Sequence, residues 1–132
     1  MHNYRELEIW KASINFCTPI YNITSKFPEE EKFGIISQLR RAAISVPSNI
    51  AEGSARSDKD FIRFLEYSLG SCREIDTQLL VSINLEYIKF EEIEKDSIFT
   101  KVLLTIVYDL KNPIEKSIYE LKIKESDQNN FP

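Results

Sequence analysis

The residues in this sequence with chemical potential are two cysteines, one histidine and a few clustered carboxylates, and their spacing argues against a reaction centre. Cys17 and Cys72 lie far apart, and His2, the one imidazole, sits at a terminus expected to fray. A nucleophilic thiol needs a base and a zinc site needs three or four ligands, and this set provides neither. Both cysteines fall instead on apolar helical stripes, where a thiol behaves as a small hydrophobe. A di-iron or di-manganese centre would need Glu-x-x-His on two helices, and the chain has no such motif. Glu91 and Glu94 have a spacing suited to magnesium-dependent nucleotide hydrolysis, but they stand at an expected helix start, where carboxylates favour the helix dipole. Glu29, Glu30 and Glu31 follow Pro28 and read the same way. There is no glycine-rich phosphate loop. The expectation is a non-enzyme with no metal and no cofactor.

Composition indicates what kind of scaffold holds these groups. At 132 residues the chain suits one domain with one core. Apolar residues at 42% and charged residues at 29% match a water-soluble globular protein, while 3 Gly and 5 Pro leave little material for turns. Few turns mean a few long elements. No apolar run approaches the roughly 20 residues that span a bilayer, and Met1 to Trp10 lacks a basic stretch followed by an apolar one. A cytoplasmic protein with no membrane contact is expected. A formal net charge of -4 and an isoelectric point near 5.1 repel phosphate backbones overall, so nucleic-acid contact would need a local basic patch.

Apolar spacing supplies four helices. The first is expected from about Tyr4 to Lys26, with Leu7, Trp10, Ile14, Cys17, Tyr21 and Thr24 on one face. Phe27-Pro28 ends it, because a residue before proline is pushed out of the α region. The second carries Ile35, Leu39, Ala42, Val46, Ile50 and Gly53 on one stripe. Pro47 removes the donor that the Ala43 carbonyl would use, which predicts a helix kinked near Pro47 but continuous. Ser57 and Asp60 have capping-box spacing, so a third helix should begin near Asp58 and end around Leu85, with Phe61, Leu65, Ser68, Cys72, Ile75, Leu79 and Ile83 inward. Tyr87 and Ile88 follow as a plug for the end of the core. The fourth runs from about Glu91 to Lys122, kinked near Pro113, with Ile93, Leu103, Ile106, Leu110, Ile114, Ile118 and Leu121 inward. Short connections make consecutive helices neighbours. The expected fold is therefore an all-α, up-down antiparallel four-helix bundle over residues 1–124, followed by a disordered tail over 125–132.

Two polar rows stand out from this pattern. Arg41, Ser45, Asn49, Glu52 and Arg56 share one side of the second helix, and Arg63, Glu66, Gly70, Glu74 and Gln78 one side of the third. Solvated helix faces look similar, and an exposed ion pair there contributes only about 0–1 kcal/mol. Small residues that permit close approach (Ala42, Ala43, Ser45, Gly70, Ser71) accompany both signs of charge, which favours an interhelical or intersubunit surface. Its members are Arg40, Arg41, Ser45, Asn49, Glu52, Arg56, Glu66, Gly70, Ser71 and Glu74. Within it Arg41 or Arg40 is expected to meet Glu74, and Glu52 and Arg56 to join a second pair. The alternative use of the cations is RNA binding through Arg40, Arg41, Arg56, Arg63 and Arg73 on one face.

The run Gln38-Leu39-Arg40-Arg41-Ala42-Ala43-Ile44-Ser45-Val46-Pro47-Ser48-Asn49-Ile50-Ala51-Glu52-Gly53 closely resembles the signature of the bacterial 23S rRNA intervening-sequence proteins. Agreement continues in Arg56, Phe61, Phe64-Leu65, Gly70-Ser71 and Glu74, and upstream in Leu7, Trp10, Tyr21, Phe27-Pro28, Glu31 and Phe33-Gly34. The resemblance implies an up-down bundle assembling with itself as a ring-like homopentamer, and an accessory role. The family's link to insertions in ribosomal RNA genes suggests RNA binding. A more distant similarity is to the pentameric accessory protein of diversity-generating retroelements, which is strongly basic where this chain is acidic.

Overall fold

The computed structural model describes residues 2–95, 108 and 112–115. Among these, every regular element is helical: α1 spans Glu8–Thr24, α2 Ile35–Ser54, α3 Asp58–Asn84 and α4 Phe90–Lys95, with 3-10 turns at Tyr4–Glu6 and Glu29–Glu31. The course of the fourth helix from 96 to 107 and the tail lie outside the described residues; 112–115, with Pro113, is a helical stretch whose Ile114 is buried, and the residues on either side of it that would define a bend are not among those described.

Side-chain contacts between helices set their directions. Gln78 reaches Gln38 and Ser71 reaches Ser45, so α3 runs antiparallel to α2. Cys17 contacts Ala43 and Arg40 contacts Thr24, so α1 is antiparallel to α2 as well. α2 thus occupies the centre, with α1 and α3 packed along it. Its apolar stripe is buried as spaced: Leu39, Ala42, Val46 and Ile50 meet Leu65, Cys72, Ile75 and Leu79 of α3 in one core. Ser57 opens α3 by accepting from the Asp60 amide at 3.3 Å, half of the expected capping box.

The stripe of α1 is rotated from its expected position. Phe16 is 1% exposed and Ile20 and Thr24 are buried, whereas Ile14 is 43% exposed and Tyr21 also faces outward. Apolar residues occupy two adjacent rows of this helix, and the row that meets α2 is decided only by docking.

α2 continues through Pro47. Proline has no N–H, so the Ala43 carbonyl one turn earlier lacks its helical donor. The Cys17 thiol of α1 points at that oxygen, with Sγ at 3.4 Å. Its one hydrogen is equally within reach of the Ser13 carbonyl, also at 3.4 Å, so a cysteine read as a small hydrophobe divides its donor between its own helix and the carbonyl that the proline orphans.

Glu29, Glu30 and Glu31 do not form the first turn of α2; they make a separate 3-10 turn, and only Glu31 reaches the helix. Its carboxylate accepts from the Ile35 amide at 3.1 Å and from the Tyr87 hydroxyl at 2.9 Å. Tyr87 also packs on Phe27, ring centroids 5.6 Å apart, and Ile88 beside it is buried, so the expected plug is in place. The hydrogen bond to Glu31 raises the Tyr87 phenol above its ordinary value of 10.0. A raised folded-state value contributes stability that is complete below the unfolded pKa and lost as pH rises past it. Tyr87→Phe keeps the ring and removes the bond, so its stability should fall less steeply than wild type above about pH 10. Equal slopes in urea unfolding across that range would remove the clasp from the account.

Candidate functional site

The groups that sequence spacing singled out lie along the seam where α2 crosses α3. The seam is close because Gly53 allows it: a Cβ there would stand 2.6 Å from the Phe64 Cβ and 2.9 Å from Phe61. Further along, the buried Ser68 hydroxyl donates to the Val46 carbonyl at 2.8 Å. The Ser45 and Ser71 hydroxyls then meet at 2.9 Å, and the Asn49 amide donates to both the carbonyl and the hydroxyl of Ser45 at 2.9 Å. The Gln78 amide closes the row by donating to Gln38 at 3.2 Å, leaving its carbonyl oxygen buried without a partner among the described residues. Ser45, Asn49 and Ser71 are thus brought together as spaced.

The charged members behave differently from one another. Glu52 and Arg56 form the expected pair at 2.6 Å, although α2 ends at Ser54 and Arg56 lies just beyond it, reaching back to Glu52 in the last turn. Arg63 pairs with Asp60 at 3.1 Å, and the two guanidiniums sit over opposite parts of Phe64, at 5.0 and 5.5 Å from its centroid. Arg40 does not meet Glu74. It turns toward α1, donating to the Thr24 hydroxyl at 2.9 Å and lying 4.5 Å over the Tyr21 ring. The five arginines considered for RNA therefore do not share a face. Arg41 and Glu74 lie between the Gln38–Gln78 and Ser45–Ser71 contacts, exposed, and neither has an ion pair among the described residues. Glu66 and Arg73 are likewise exposed and unpaired there. Beside Glu74, Gly70 opens a shallow hollow of about 330 Å³ on α3, and a Cβ at Gly70 would meet nothing within 4 Å.

A second concavity was not foreseen from spacing. Between α1 and α2 lies an open groove of about 440 Å³ whose walls include Tyr4, Trp10, Ile14, Ile44, Pro47 and Ala51. The signal for it was present: Ile14 and Ile44 are large apolar residues, each on an outer face once α1 is given its true register.

Among the described residues, neither surface brings a nucleophile together with a base. Burial pushes the Cys72 thiol up to about 12 and raises that of Cys17, so both are protonated at neutral pH and poor nucleophiles. Among the described residues no three His, Cys, Asp or Glu side chains cluster as metal ligands would, and no helix is long and apolar enough to cross a membrane. What the two surfaces present is small residues, exposed charges of both signs with no ion pair among the described residues, and an apolar groove.

No curated protein matches the chain significantly. Among solved structures it is similar to a protein of unknown function from the S23 ribosomal protein family of Bacteroides thetaiotaomicron VPI-5482, at 27% identity and a TM-score of 0.70, over 80% of this chain and 97% of that one. Residues 5–104 match the family described as 23S rRNA-intervening sequence protein, a span containing α1, α2, α3, the seam and the groove. A helical fold shared with a relative, together with a family match over most of the chain, leads to one conclusion: the chain belongs to the 23S rRNA-intervening sequence protein family.

Proposed function

We propose that this chain works without catalysis, as a self-associating helical protein whose contact between copies includes the exposed charges along the outer seam of α2 and α3. Each copy is read as an up-down four-helix bundle, the assembly as the homopentamer that the family resemblance implies, and the role as that of an assembly or accessory protein. The observation that carries the reading is the state of Arg41 and Glu74. Arg56 and Arg63 find carboxylates four and three residues away, while Arg41 and Glu74 stand exposed on the seam with no ion pair among the described residues. Opposite charges left unpaired on one surface of a chain are complementary between two copies of it. An RNA-binding reading is weaker, because Arg40, Arg56 and Arg63 are already engaged and the net charge is -4.

Light scattering after size exclusion tests this directly, with a discrete mass near five times 15.4 kDa expected. Arg41→Ala should leave helicity intact and weaken each contact by about 2 kcal/mol, roughly thirtyfold. A wild-type mass of 15.4 kDa, or an assembly indifferent to Arg41→Ala, counts against the proposal.

A further inference from the structure

Resting on that reading of self-association, we propose that the contact joins two different faces. The outer face of α3 around Tyr67 and Gly70 of one copy seats in the groove between α1 and α2 of the next, and Glu74 there meets Arg41 of that next copy.

The two faces are unmatched within the chain and matched to each other. Tyr67 is 51% exposed on α3 and stands one turn before Gly70. A glycine in the middle of a 27-residue helix weakens it relative to alanine. Gly53 has a reason inside the chain, but Gly70 has none, since a Cβ there meets nothing within 4 Å. The bareness of Gly70 therefore serves a surface that approaches from outside. The groove supplies such a surface, being concave and walled by Trp10, Ile14 and Ile44.

Charge favours the same pairing. Glu66 and Glu74 bracket Gly70, about 12 Å apart along the helix. Arg41 stands one turn before Ile44, a groove residue of α2, and Arg5 follows Tyr4, another groove residue, and lies 5.9 Å over its ring. Two α3 faces placed together about Gly70 would instead set Glu66 against Glu74 of the other copy, which like charge opposes. Because the groove and the α3 face are distinct patches, the contact is heterologous, and repeating it turns each copy relative to the last until a ring closes.

The experiment uses full-length chains and solution mass, with circular dichroism confirming helicity. Ile14→Asp spoils only the groove and Gly70→Arg only the α3 face, and both sites are open enough to leave folding intact. Each variant alone should lose the oligomer and run at 15.4 kDa. Mixed in equal amounts, they retain one good face and one good groove, so a species of twice that mass should appear and grow no further. Arg41→Glu and Glu74→Arg should each lose assembly, and the double variant should regain the wild-type mass. If the wild type assembles but Ile14→Asp and Gly70→Arg also do, the pairing of faces is overturned and self-association survives. A mixture that stays at 15.4 kDa, or a double variant that does not recover, also overturns the pairing. A monomeric wild type overturns both.

Discussion

Phe16→Ala should cost about 3–5 kcal/mol of folding stability, while Ile14→Ala, two residues away on the same helix, should change it by no more than about 0.5 kcal/mol. Phe16 is 1% exposed against α2 and Ile14 lines an open groove. Truncating a buried ring removes its transfer free energy and leaves a cavity that packed neighbours fill only in part, whereas truncating a groove residue leaves water in its place. Domains of this size are stable by only about 5–15 kcal/mol, so the first change consumes a large fraction of the total. Urea unfolding followed by Trp10 fluorescence separates the two. Similar losses for both variants would restore the stripe through Leu7, Ile14 and Tyr21 and reject the observed register of α1.

The two helix-facing glycines should respond in opposite directions. Gly53→Ala places a methyl 2.6 Å from the Phe64 Cβ, an atom fixed to backbone that cannot swing aside. Overpacking of this kind costs about 1–3 kcal/mol, since α2 and α3 must separate and loosen the Ser45–Ser71 and Ser68–Val46 contacts along the seam. Gly70→Ala meets open space and removes a flexible residue from a helix interior, so the folding of a single chain should gain about 0.5–1 kcal/mol. In dilute solution, midpoints moving in opposite directions are expected. A Gly70→Ala chain that loses stability would show that its bareness is needed within the chain after all, and would remove the external surface argued for α3.

The seam was readable because its parts are local. Three- and four-residue spacing places Ser45, Asn49 and Glu52 on one side of α2 and Gly70 and Glu74 on one side of α3 regardless of tertiary context. A pair four residues apart such as Glu52–Arg56 needs only the last helical turn and the residue just past it. Arg40 went the other way because it sits at the boundary between the face turned to α1 and the face turned to α3, and a long side chain there goes to whichever neighbour offers a hydroxyl and a ring. The end of α3 illustrates a different gap. Glu86 adopts φ of 60° while its amide and that of Tyr87 return to Ile83 and Ser82, the bonding of a Schellman cap without the usual glycine. Spacing placed the helix end near Leu85 but held no residue that announces this geometry.

By itself, the sequence determined the helical class, the inward stripes of α2 and α3, the start of α3 at Ser57, the plug at Tyr87 and Ile88, and the juxtaposition of Ser45, Asn49 and Ser71. These depend on periodicity, capping and proline chemistry, which act within a few residues. Only tertiary structure decided which row of α1 is buried, that the Cys17 thiol reaches the carbonyl orphaned by Pro47, that Arg40 leaves the seam, and that a groove opens beside Ile14 and Ile44. The physical reason is common to all four. A helix with apolar or amphipathic side chains on more than one row has several faces of similar burial energy, and the choice among them is made by the neighbouring helix that packs against it.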